Sequence, residues 1–217
     1  MSGNVRVKIC GIQDVEDALA AIEAGADLLG LNFVPGSPRL VDVRAAATIC
    51  EAVADSRVER VAVFRDASWD EIDRIMRRAD FERIQFHGEE TEEEVEAVDL
   101  PVIKAIPGAD VQAAETYPGI ILLLDHPSEG GGKGNVWDWS EASALIELGH
   151  DVILAGGLGP DNVARALEDV GDVLPWGVDV ATGVEGDGYR KDPAKMKAFV
   201  EAVRSIEDAV PTVEESE

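Results

Sequence analysis

Cys10 closes the apolar run Val5-Arg6-Val7-Lys8-Ile9, and Asp125 closes Ile120-Ile121-Leu122-Leu123-Leu124. A thiol that can ionise and a carboxyl that can give up a proton are the pair an isomerase needs to move protons across a substrate. A free thiol titrates near about 8.5, so Cys10 as a base calls for a positive neighbour. Lys8, two residues back on the same strand face, is one candidate. Taken singly, each residue has a plainer reading. Cys10 also fits an inert buried thiol, and Asp125 a carboxylate that caps a turn.

Two glycine-bearing turns add a different chemistry. Gly156-Gly157 and Thr182-Gly183 follow the last two apolar runs, and glycine lets backbone N–H groups approach an anion with no Cβ in the way. The pairing of the two turns reads as a phosphate cradle, helped by a helix opening near Pro160. Arg39, in a stretch holding Pro35 and Pro38, has the planar donor set that grips a carboxylate, or else makes a surface salt bridge. His87 fits a strand-end hydrogen bonder as well as a catalytic group. Residues 129–134, Glu-Gly-Gly-Gly-Lys-Gly, read as a lid over the mouth, and their spacing excludes a Walker A loop.

The elements that must position these residues alternate. Strand-like runs at 5–9, 28–33, 58–64, 83–86, 102–105, 120–124, 152–155 and 178–180 are each followed by a helical pattern, at 14–24, 42–55, 68–79, 90–98, 109–115, 140–148, 160–168 and 192–206. Ser68-Trp69-Asp70-Glu71 reads as a capping box. Repeated βα units of this number in 217 residues predict a single parallel (β/α)8 TIM barrel over residues 1–208. An open dinucleotide-binding sheet would place a GxGxxG turn where Cys10-Gly11-Ile12-Gln13 stands. In a barrel the active site forms at the carboxyl ends of the strands, where all the residues above fall. Residues 209–217 predict a frayed acidic tail.

Composition narrows the partners. The apolar runs are far shorter than the roughly 20 residues of a membrane span, and the start of the chain shows no leader pattern, so a cytoplasmic protein without a membrane partner is expected. Two cysteines without metal-like spacing give no support to a disulfide framework or a metal site, and Cys50 reads as a small buried apolar residue. A net charge of -25 argues against a nucleic-acid partner. Spread over helix faces, as at Glu89-Glu90-Thr91-Glu92-Glu93-Glu94, it predicts adaptation to high salt and a halophilic origin.

Val7-Lys8-Ile9-Cys10-Gly11-Ile12, Gln85-Phe86-His87-Gly88-Glu89, Leu123-Leu124-Asp125, Trp137-Asp138-Trp139, Ala155-Gly156-Gly157-Leu158 and Val178-Asp179-Val180-Ala181-Thr182-Gly183-Val184-Glu185 occur in that order. Together they resemble the phosphoribosylanthranilate isomerase family of tryptophan biosynthesis. The resemblance implies an Amadori rearrangement of a phosphorylated small molecule, without metal or organic cofactor, by a monomer or homodimer. It implies Asp125 as general acid, Cys10 as general base, Arg39 on the anthranilate carboxylate, Asp179 on a sugar hydroxyl, and Gly156, Gly157, Thr182 and Gly183 around the phosphate. A histidine-pathway isomerase would carry an Asp where Cys10 stands, and an indole-glycerol-phosphate synthase a catalytic Lys and Glu near the strand ends. A catalytically silent phosphate sensor would have no use for both Cys10 and Asp125.

Overall fold

The computed structural model describes residues 4–126, 136–171 and 173–208; the expected lid at 129–134 and the expected tail at 209–217 lie outside them. Strands β1 (Arg6–Cys10), β2 (Leu28–Asn32), β3 (Glu59–Phe64), β4 (Arg83–Phe86), β5 (Val102–Pro107), β6 (Ile121–Asp125), β7 (Val152–Leu154) and β8 (Gly177–Val180) form one closed barrel in chain order. All neighbours are parallel, and β8 returns to β1 with Val7 opposite Val178. The predicted (β/α)8 architecture is what the chain adopts.

Helices α1 (Val15–Ala24), α2 (Val43–Ala52), α3 (Trp69–Met76), α4 (Glu92–Glu96), α5 (Val111–Glu115), α6 (Ala142–Glu147), α7 (Val163–Val170) and α8 (Pro193–Glu207) follow the strands one by one. Short polar side chains start most of them by accepting from first-turn N–H groups, as Asp14, Asp42, Asp110 and Asp192 do. The box expected at Ser68 is only half made: its hydroxyl accepts from the Glu71 N–H at 3.4 Å. Both halves form instead at Thr91 and Glu94. Helix α7 also opens three residues later than expected, because Asn162 turns its side chain back onto Gly157 and Gly159 and keeps Pro160 in the preceding turn.

Strand residues sort by parity into two cores. Val61 and Val63, Ile103 and Ala105, and Ile153 and Ala155 meet Cys10, Leu28 and Leu123 inside the barrel, with no helix residue among them. Their neighbours Ala62, Phe64, Ile84 and Phe86 face outward onto the helices, in one shell with Ile72, Ile75 and Phe199. Burial on both faces is why the strands read as continuous apolar runs rather than alternating ones. At the amino end of the barrel Arg6 and Arg83 lie over the Trp176 ring, 4.9 and 5.6 Å from its centroid, and share Glu59. That stack plugs one end and leaves the working cavity at the other.

Candidate active site

A cavity of about 510 Å³ opens at the carboxyl ends of the strands, and Cys10, Arg39, Asp125, Gly156, Gly157, Asp179, Thr182 and Gly183 all line it. The structure thus brings every sequence-predicted site residue to one place. What surrounds each of them decides what it can do.

Cys10 ends β1 with its thiol against β2, where Gly30 sits directly opposite. A Cβ at Gly30 would lie 2.7 Å from the Cys10 sulfur and 3.1 Å from Lys8 Nζ, so only glycine leaves room for both groups. Lys8 is fully buried and donates to Asp179 Oδ1 at 2.6 Å. Burial by itself favours the neutral amine, but the Asp179 carboxylate and the Cys10 sulfur outweigh it and hold Lys8 above its ordinary value, as an ammonium. Burial pushes the Cys10 thiol up; Lys8 and Lys191 pull it down, without cancelling the desolvation and the repulsion from Asp179. The expected positive neighbour is therefore present, and its charge is shared with Asp179.

Asp125 ends β6, nearly buried. Its Oδ1 accepts from the His126 N–H at 2.8 Å, and its Oδ2 lies 3.1 Å from His87 Nε2. His87 Nδ1 in turn meets the Gln85 side-chain amide at 3.0 Å. His87, at the end of β4, is thus the hydrogen-bond partner of the proposed acid, and Gln85 fixes the ring from below. Among the described residues Gln85 Oε1 is buried without a partner, which leaves one acceptor at the cavity floor. Behind this strand end, buried Lys104 holds the Gly88 carbonyl at 2.6 Å and Glu90 at 3.2 Å, and Glu90 accepts from the Gly88 and Asp66 N–H groups. The loop that carries His87 is pinned from the back.

Arg39 is not a loose surface arginine. Its Nε and Nη2 donate to the two oxygens of Glu185, at 2.5 and 2.9 Å, and Nη2 also reaches Thr182 Oγ1 at 3.0 Å. Lys191, buried, shares Glu185 Oε1 at 2.9 Å. Two cations on one carboxylate overcome the cost of burying it and hold Glu185 below the usual carboxylate range, while burial depresses Lys191. The cluster ties the segment after β2 to the segment after β8. Sequence reasoning picked out Arg39 but neither Glu185 as its partner nor Lys191, because the partners lie 146 residues or more along the chain.

The glycine turns meet face to face. Gly156 and Gly157 both take positive φ, 76° and 75°, which orients successive peptide groups as other residues rarely can. A Cβ on Gly183 would collide with the Leu158 carbonyl, so these loops touch backbone to backbone. Trp137 and Trp139 both donate their indole N–H to the Ala155 carbonyl, at 2.9 and 3.1 Å, and brace the first turn. Among the described residues the N–H groups of Gly157 and Gly183 meet no acceptor. Two such groups on adjoining glycine turns suit an anion. No cluster of three or more metal-binding side chains occurs among the described residues, and no described helix is long and apolar enough to cross a membrane.

Residues 7–202 match the family model described as N-(5'phosphoribosyl)anthranilate (PRA) isomerase. An N-(5'-phosphoribosyl)anthranilate isomerase of Pseudomonas aeruginosa is 47% identical over 208 residues, which cover 93% of this chain and 96% of that protein. The crystal structure of the phosphoribosyl anthranilate isomerase from Thermus thermophilus superposes with a TM-score of 0.83 at 40% identity, covering 93% of this chain and all of that one. A phosphoribosyl anthranilate isomerase in complex with reduced 1-(o-carboxyphenylamino)-1-deoxyribulose 5-phosphate superposes at 0.82 with 33% identity, covering 93% of this chain and 99% of that one.

Proposed function

This chain belongs to the N-(5'-phosphoribosyl)anthranilate isomerase family, and we propose that Cys10 and Asp125 carry the proton transfers of its reaction. The activity is the isomerisation of N-(5'-phosphoribosyl)anthranilate in tryptophan biosynthesis. Asp125 protonates the ribose ring oxygen, and the C1–O bond breaks to give an open-chain Schiff base. Cys10, as thiolate, removes the proton from C2; the electrons flow to the iminium nitrogen, and the resulting enolamine tautomerises to the ketone. One observation carries this reading: the two groups end β1 and β6 and face a single cavity, with a hydrogen-bonded carboxyl on one side and a lysine-flanked thiol on the other.

The other contacts follow from the same cavity. The turns at Gly156, Gly157, Thr182 and Gly183 hold the phosphate, and the guanidinium of Arg39, oriented by Glu185, holds the anthranilate carboxylate. Asp179 reaches a sugar hydroxyl while it anchors Lys8. Loss of phosphoribosylanthranilate fluorescence on adding the purified protein tests the activity. Arg39→Ala should raise KM by about tenfold or more, the worth of a charged hydrogen bond. An unchanged Michaelis constant would take the carboxylate away from Arg39.

Adaptation to high salt is part of the same proposal, supported by 44 acidic against 19 basic residues. At low ionic strength these charges repel one another, and salt screens them over about 10 Å at 0.1 M. The melting temperature should therefore rise steadily from low to molar salt. A flat profile would remove the adaptation.

A further inference from the structure

Two arginines line the cavity, and they differ in how their charge is answered. Arg39 is nearly buried and paired with Glu185. Arg65 is exposed and, among the described residues, has neither an ion-pair nor a hydrogen-bond partner, in a chain with 44 carboxylate side chains. An uncompensated cation at the mouth of so acidic a protein calls for an anion that arrives from outside.

The backbone presents Arg65 deliberately. It directly follows β3, and the next residue, Asp66, takes a left-handed φ of 49°, uncommon for a residue with a side chain. That turn is held at both ends: Glu90 accepts from the Asp66 N–H at 2.8 Å, and Asp66 Oδ1 accepts from the Glu89 N–H at 2.7 Å. A Cβ on Gly88 would collide with Asp66, so the two loops are pressed together. Strain of this kind persists where surrounding bonds over-determine it, and here they fix the start of the Arg65 side chain at the cavity rim.

Topology says which end of a substrate would meet it. In the eight-stranded ring β3 stands opposite β7, whose glycine turn forms half of the anion cradle. A molecule with its phosphate at the β7 and β8 turns extends its far end toward β2, β3 and β4. We infer that Arg65 is a specificity-determining residue, pairing with the aromatic carboxylate at the end of the substrate remote from the phosphate and adding its charge to that of Arg39. This rests on the function proposed above.

The test is steady-state kinetics of wild type, Arg65→Ala and Arg65→Lys on phosphoribosylanthranilate, with anthranilate and inorganic phosphate as separate inhibitors. Arg65→Ala should raise KM about three- to tenfold with kcat nearly unchanged, the range for a charged contact at an exposed site. It should weaken inhibition by anthranilate to a similar extent and leave inhibition by phosphate as in wild type. Arg65→Lys should recover part of the loss, and added salt should narrow the gap between wild type and Arg65→Ala. An unchanged KM, or equal weakening toward both inhibitors, would overturn the assignment, the second by showing only a general field at the mouth. Wild-type protein without turnover would overturn the functional reading itself, whereas turnover that Arg65→Ala leaves untouched would remove Arg65 alone.

Discussion

Cys10→Ala should lower kcat by about 10²- to 10⁴-fold while the protein stays folded, the contribution general for a positioned base. The stability side follows from packing. The thiol is 9% exposed and fills a gap that Gly30 leaves, so its loss costs about 1 kcal/mol, or roughly 2–4 °C in melting temperature for a chain of this size. Lys8 keeps its bond to Asp179, so no buried charge is stranded. Cys50 is the internal control. It lies in α2 on the outer shell, and burial pushes its thiol up to about 11, so Cys50→Ala should leave turnover unchanged. Near-normal rates in Cys10→Ala, with Cys50→Ala equally active, would remove the base from the mechanism.

The same residue sets a pH dependence. Only the thiolate accepts the proton, and burial holds the Cys10 thiol above its ordinary value despite the pull of Lys8. The fraction of Cys10 present as thiolate therefore grows as pH rises through the alkaline range, and alkylation of this cavity thiol in the Cys50→Ala variant should speed up with it.

How much of this was legible in the sequence depends on chain distance. The eight strands and helices could be read because each βα unit encodes its own periodicity, most helices carry a polar cap, and the strands are buried largely on both faces. Boundaries slipped where bonds form that local pattern does not show: the Asn162 side chain delayed α7, and backbone pairing with Pro107 and Gly108 carried β6 on to Asp125 itself. The rim residues were legible for a topological reason, since a barrel sends whatever follows each strand to the same mouth. Arg65 follows β3 directly and satisfies the same rule. What the rule cannot supply is pairing across the ring. Gly30 beside Cys10, Glu185 and Lys191 beside Arg39, and His87 beside Asp125 are contacts between separate βα units, fixed by register and barrel closure rather than by neighbouring residues.

Asp125→Asn should also reduce kcat by about 10²- to 10⁴-fold, for a reason the strand end makes specific. The amide is isosteric with the carboxyl, and its oxygen still accepts from the His126 N–H. Its nitrogen, facing His87 Nε2, meets an acceptor as soon as the ring carries its proton on Nδ1 and the Gln85 amide turns its oxygen, which has no partner among the described residues, to receive it. The hydrogen-bonded chain survives with reversed polarity, so the melting temperature should hold within a few degrees. What the variant lacks is a proton acidic enough to reach the ribose ring oxygen. Ring opening then limits the rate, and because the phosphate turns and both arginines are untouched, KM should change far less than kcat. A variant that turns over like the wild type would move the acid elsewhere, and His87, whose ring is hydrogen-bonded to this carboxylate, would be next in line.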